Sequence, residues 1–221
     1  MPELNEIKKV VDKIGSVDEI REHICFFGGS MPYIYYGEES GRDHSDIDVL
    51  VDLEYMDVIR NALKSSGRYK EEYDSLNLGL DTDYGLKAWI DGIYVEFEPK
   101  IVKDGVLKRY DFSPEKKLAG VEEIPFDNIE DLIIPLNIGD KTTYCQSMEL
   151  IKVGKEKYKR EKDLKDIEFI DRHNIDTLKY ERVKTAVEKT KTNMFSYAKK
   201  QELDSMLSEN KAEDNQDSKR I

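Results

Sequence analysis

The stretch GGSMPYIYYGEESGRDHSDIDVLVD, residues Gly28 to Asp52, decides how the rest of this chain is read. The run Ile24–Phe27 before it is short and apolar, and reads as a buried strand closed by a tight turn at Gly28 and Gly29. "DIDVLVDL" is a second strand, rich in Val and Leu, yet it carries Asp46 and Asp48. A carboxylate is costly to bury unless it is paired or holds a metal. Residues two apart in a strand face one side and lie about 6.6 Å apart along it. Asp46 and Asp48 therefore project together, with Ile47 and Val49 on the opposite face. The pair predicts either a strand end open to solvent or a bound cation.

Length and composition bound the possibilities. At 221 residues the chain can bury one sizeable core, or one domain with a smaller appendage. With 38% apolar, 37% charged and 10% aromatic residues it suits a globular protein with well-solvated surfaces, and it lacks the apolar depletion of a disordered chain. No apolar run approaches the roughly 18 residues of a membrane helix. "MPELNEIKKVVDKIG" is charged and amphipathic, without the apolar region of a signal peptide. The two cysteines, Cys25 and Cys145, form no metal-ligand spacing, and no pair among His23, His44 and His173 does so either. The expected setting is cytoplasmic, with no membrane partner.

The net charge of -12 argues against a surface that grips nucleic acid all over. The charge is uneven, however. Residues 151–200 hold 15 Lys and Arg against 9 Asp and Glu, whereas residues 1–150 hold 17 against 32. The basic segment is either a solvated helix face or a local site for a polyanion.

Leu4, Ile7, Val10, Val11 and Ile14 recur at helical spacing and predict an opening amphipathic helix. "YMDVIRNALKSSG" predicts another. "YGLKAWI", "IYVEFEP" and "GVLKRYDF" are separated by Asp91-Gly92 and Asp104-Gly105, the favoured two-residue hairpin signal. They predict an antiparallel meander joined to the first two strands. From about Tyr144 to Leu207 the pattern reads as helical and lysine-rich. The expected organisation is a core domain over 1–143, a helical subdomain over 144–208 and a flexible tail over 209–221. The expected fold class is α+β, a mixed and mainly antiparallel sheet flanked by helices, with a C-terminal helical segment.

Hard oxygen ligands on one face suit Mg²⁺, which favours carboxylates and substrate phosphates. In "YVEFEP", Glu96 and Glu98 alternate with apolar residues, so this strand supplies a third carboxylate if it neighbours the first pair. Glycines let backbone approach a ligand closely, and successive N–H groups in the Gly28-Gly29-Ser30 turn can cradle phosphate oxygens. A phosphate-holding turn beside a metal-binding pair predicts a nucleoside triphosphate with Mg²⁺.

The order strand, Gly-Gly-Ser, spacer, Asp-Ile-Asp resembles the signature of the polymerase-beta-like nucleotidyltransferase superfamily. The spacer of fifteen residues between Ser30 and Asp46 is longer than usual for that family, and "YIYYGEESGRDH" reads as an extended loop over the site, where an acceptor would enter. The resemblance implies two Mg²⁺ ions on Asp46, Asp48 and a later acid, with Glu96 favoured over Glu98. It also implies that Gly28, Gly29 and Ser30 grip the triphosphate. "KREKDLKDIEFI" is similar to a basic helix of single-domain bacterial members, including toxin-type and antibiotic-modifying enzymes; Arg160, Lys162, Asp163 and Asp166 match its pattern, and Arg160, Lys162 and Lys152 become candidates for neutralising triphosphate charge. A salt-bridged surface helix is the alternative. The implied activity is transfer of a nucleoside monophosphate to a hydroxyl of a small molecule, RNA or protein, with release of pyrophosphate. The rival reading is a silent member that binds nucleotide or a partner without turnover. Trp89, Tyr33, Tyr35 and Tyr36 are candidates for stacking on a base, or are simply core.

Overall fold

The computed structural model describes residues 3–198. The opening helix α1 (Leu4–Gly15) buries the five apolar residues of its periodic face, and the Glu6 carboxylate accepts a bond from the Glu3 amide at its start. It leads into β1 (Ile24–Phe27), which is buried along its whole length. A short helix α2 (Met31–Tyr36) follows, then β2 (Asp46–Asp52) and α3 (Met56–Ser65). The meander is β3 (Leu86–Ile90), β4 (Ile93–Lys103) and β5 (Val106–Ser113). Asp91 and Gly92, and again Asp104 and Gly105, all have positive φ, as tight hairpins between right-twisted strands require.

Next come β6 (Leu118–Pro125), β7 (Ile133–Ile138) and β8 (Lys141–Gln146), then three helices, α4 (Met148–Tyr158), α5 (Glu161–Asp171) and α6 (Thr177–Glu188), and a last strand β9 (Lys191–Ser196). The strands form one sheet in the order β7-β8-β1-β2-β4-β5-β6-β9; β3 shares with β5 the edge of β4 that faces away from β2, pairing with Ile93–Phe97 while β5 pairs with Lys100–Lys103. Only the β1–β8 and β2–β4 pairs are parallel. The fold is α+β with a mixed, mainly antiparallel sheet, as expected.

Alternation along β2 settles which face is the core. Ile47, Val49 and Val51 join Phe26, Val95 and Phe97 in the main apolar cluster, packed against α1, α2, α3 and α5. Asp46, Asp48 and Leu50 point the other way. A second cluster, Leu107, Ile124, Leu150, Val153 and Val183, seats α4 and α6 against β5 and β6.

Three expectations need correction. The spacer after Ser30 is not wholly loop: Met31–Tyr36 is helical, because Pro32 suits a first turn, Met31, Tyr33 and Ile34 bury an apolar face, and Gly37 ends it in the left-handed region. The helical region starts at Met148 rather than Tyr144, since Ser147 accepts the Leu150 amide as an N-cap and Tyr144 is still in β8. "KTNMFS" extends no helix but pairs with β6 from Leu118↔Ser196 to Glu123↔Lys191; Gly120 makes room for Met194, whose sulfur a β-carbon there would meet. Residues 199–221, including the expected tail, lie outside the described residues. No helix among the described residues is long and apolar enough to cross a membrane.

The packing makes a stability prediction. Ile47 is fully buried, so Ile47→Ala should lower the unfolding free energy by about 2–5 kcal/mol. Urea denaturation with an unchanged m-value would show it.

Candidate active site

The parallel pairing of β2 with β4 sets Asp46 opposite Tyr94 and Asp48 opposite Glu96. All three acids leave the sheet on its non-core face, and one oxygen from each of Asp46, Asp48 and Glu96 lies within 4.8 Å of the others. This is the only cluster of ligand spacing among the described residues. Burial and the facing carboxylates of Asp46, Glu98 and Glu96 push the Asp48 pKa well above the usual carboxylate range. Burial likewise raises Glu96, against the opposing pull of Lys87. The crowding that raises Asp48 and Glu96 is one that a divalent cation would relieve.

Glu98 faces the same side but has another partner. The Arg109 guanidinium lies 3.1 Å from it, without the alignment of a proper hydrogen bond. Burial pushes Glu98 up to about 7, with Arg109 pulling the other way. Of the two glutamates, only Glu96 stands in the cluster.

The Gly28-Gly29-Ser30 turn sits at the end of β1, whose last residue pairs with Asp48. Gly28 has φ +92°, and a β-carbon there would strike the Asp48 carboxylate. At Gly29 a β-carbon would strike the Arg42 guanidinium, with Lys155 and Asp166 just behind. Gly28 is thus required by its backbone, and at Gly29 any side chain would displace the Arg42 guanidinium.

Beyond the turn opens a cavity of about 510 Å³. Gly28, Gly29, Ser30, Asp46, Asp48, Arg160 and Lys162 all line it, so the structure gathers most of the residues picked from sequence. Glu96 joins them through the carboxylate cluster at the floor. Lys152 does not line the cavity: its ammonium bonds Asp171 at 2.6 Å and lies over the Tyr180 ring. Lys155, one turn further along α4, is the lysine that reaches the wall. A slightly larger cavity of about 590 Å³ lies beside α6 near Phe126 and Arg182, but it lacks the carboxylate cluster, and chemistry rather than size identifies the site.

The wall is built on two carboxylates with no solvent exposure, Asp163 and Asp166. Asp166 accepts bonds from the Tyr33 hydroxyl at 2.8 Å and from Arg42 Nε and Nη2 at 2.9 and 2.8 Å, and Lys155 Nζ stands 3.0 Å away. Arg42 also donates to the Gly29 carbonyl at 3.2 Å. Asp163 accepts from the Arg160 amide and side chain at 3.0 and 2.7 Å and pairs with Lys155 at 3.3 Å. The helix of Asp163 and Asp166 is therefore no freely solvated face. His44, also lining the cavity, is buried with Nε2 unpartnered; burial first, and then Arg42, hold its pKa down to about 4. Arg42 was not singled out from the sequence, although it lies only four residues before Asp46.

The spacer is tied down rather than free. Tyr33 packs on Phe169 at 4.2 Å, Tyr36 stacks on His173 at 3.8 Å, and Glu38 bonds His173 at 2.8 Å. Tyr33 is buried and Trp89 packs on Tyr94, so neither faces the cavity; the aromatic side chain at its mouth is Tyr158, 64% exposed.

A pH dependence follows from Asp163. Burial would raise its pKa, but the Arg160 bonds and Lys155 outweigh this and hold it down to about 2, against an ordinary 3.8. The stabilisation is present above pH 3.8 and is lost as pH falls through about 2. Asp163→Asn should flatten the loss of stability across that window, read as the unfolding free energy against pH.

Sequence comparison finds no matching family model and no matching curated protein. Likeness appears among solved structures. The antibiotic-resistance factor ANT(2'')-Ia, in solution, superposes with a TM-score of 0.51 at 16% identity, over 85% of this chain and 93% of that one. The lincosamide antibiotic adenylyltransferase LnuA, with lincomycin bound, gives 0.49 at 17% identity, over 76% and 95%. ANT(2'')-Ia in complex with adenylyl-2''-tobramycin gives 0.48 at 17%, over 83% and 95%. The likeness to the first is one of fold: over 85% of its length this chain shares the fold of that antibiotic-resistance factor.

Proposed function

We propose that the chain is a Mg²⁺-dependent nucleotidyltransferase, moving a nucleoside monophosphate from a triphosphate such as ATP to a hydroxyl of a small acceptor and releasing pyrophosphate. The observation that carries this reading is the convergence of Asp46, Asp48 and Glu96 beside the Gly28-Gly29-Ser30 turn at the floor of one cavity. Three carboxylates whose oxygens lie within 4.8 Å of one another are a hard, anionic donor set that fits Mg²⁺. Bound there, the metal would supply charge neutralisation at the phosphates under attack.

The protein's own groups divide the remaining work. Arg42, Lys155, Arg160 and Lys162 stand on the cavity wall with the Gly28–Ser30 backbone, and would hold the β- and γ-phosphates so that pyrophosphate leaves in line. Asp163 and Asp166 keep Lys155 and Arg42 from folding onto the metal-binding acids. Glu96 would accept the proton of the acceptor hydroxyl as its oxygen bonds to the α-phosphorus. Most of the acceleration would come from positioning and fixed charge.

A small acceptor is favoured over RNA. Of the basic segment's cations on the cavity wall, Lys155 and Arg160 are paired with Asp163 and Asp166, and the triphosphate would take up their remaining charge and that of Lys162, which leaves little for a second polyanion. Next to Glu96 stand Glu98 and Asp111, and Arg109 pairs with Glu98 and Glu122; this acidic surround would suit a cationic or neutral hydroxylated molecule. The fold's likeness to an antibiotic-resistance factor supports an acceptor of antibiotic type. The placement of the reaction in the cytoplasm, where nucleotide is available, belongs to the same reading.

The test is transfer of labelled monophosphate from ATP, CTP, GTP and UTP to a panel of hydroxylated amines in Mg²⁺. Wild type should transfer, and Asp46→Ala/Asp48→Ala should lose at least about 10²–10³-fold in rate. Undiminished transfer by the double variant would refute the assignment. Nucleotide binding without turnover across the panel would favour a silent binding protein.

A further inference from the structure

We propose that Lys87 is a built-in counter-cation of the acidic cluster, holding Glu96 in the absence of metal and restraining how tightly the cluster binds one. The inference rests on the metal-dependent reading above. The β3–β4 register sets Lys87 directly opposite Glu96, and its ammonium lies 3.0 Å from Glu96 Oε1. The Lys87 side chain is 7% exposed, and a lysine is almost never so buried without a partner. Here the partner is one of the three carboxylates that would ligate the metal.

An ammonium on a ligand oxygen opposes a divalent ion in two ways. It occupies a lone pair that the ion needs, and it repels the ion through a cleft less polar than water. Lys87 is not locked in that position. Glu115, on the turn after β5, lies 4.0 Å from the same ammonium and is half exposed, and it also accepts the Tyr94 hydroxyl at 3.0 Å. The Tyr94 ring lies 5.7 Å from the ammonium. Lys87 thus has a second acceptor and an aromatic face to turn toward when Glu96 engages a metal, and it is never stranded without a partner.

The experiment measures Mn²⁺ binding to the full chain without nucleotide, following the free-ion signal by electron paramagnetic resonance. Lys87→Met and Lys87→Gln should each bind Mn²⁺ about tenfold more tightly than wild type. Lys87→Arg, which keeps the charge, should bind as wild type does. Lys87→Gln retains a donor toward Glu96, so the measurement stands even if the Met variant folds poorly by circular dichroism. Wild-type or weaker affinity in the neutral variants overturns the role of Lys87 alone. Mn²⁺ binding that Asp48→Asn leaves intact overturns the metal reading, and the inference with it.

Discussion

The parallel register of β2 on β4 is the constraint from which the rest of the site follows. By pairing Asp48 with Glu96 it brings like charges together at the floor of a cleft, an arrangement that opposes folding unless cations answer it. The opposite face of the same strands fixes the register. Ile47, Val49, Val51, Val95 and Phe97 are all in the main core, and a slip by one residue would exchange them with the acids. Hydrophobic burial therefore holds the carboxylates where electrostatics alone would drive them apart. Lys87 and Arg109 reach the same face from the neighbouring strands and offset part of the repulsion.

A second anchor joins the wall of the cavity to that floor. Asp166 binds groups from three separate elements: Tyr33 of α2, Arg42 of the spacer and Lys155 of α4. A buried carboxylate of this kind adds little net stability compared with apolar packing, but removing one partner would leave an uncompensated charge. Its effect is to fix geometry. It sets Arg42 of the spacer and Lys155 of α4 against Gly29, so two cations are directed at the turn.

Much of this was legible in the sequence because it is local. The alternation in "DIDVLVD" placed the acids on one face, and the Asp-Gly pairs marked both hairpins, whose residues indeed take positive φ. What was missed depends on distant partners. Met31–Tyr36 is helical because Tyr33 and Ile34 find cover in a core built from residues far along the chain, and β9 is a strand because β6 offers an edge to it. Lys152 and Lys155 sit on one lysine-rich helix; composition does not distinguish them, but Asp171 claims one while Asp163 and Asp166 claim the other. Arg42 escaped notice for the same reason, since its meaning comes from Asp166, which lies 124 residues away in sequence.

The central claim is that Asp46, Asp48 and Glu96 form one divalent-cation site. Anomalous diffraction from crystals grown with Mn²⁺ and a non-hydrolysable triphosphate tests it most directly. The account predicts a manganese peak bound by all three carboxylates, with the phosphates against the Gly28–Ser30 turn. A peak elsewhere, or phosphates lying away from that turn, would contradict it.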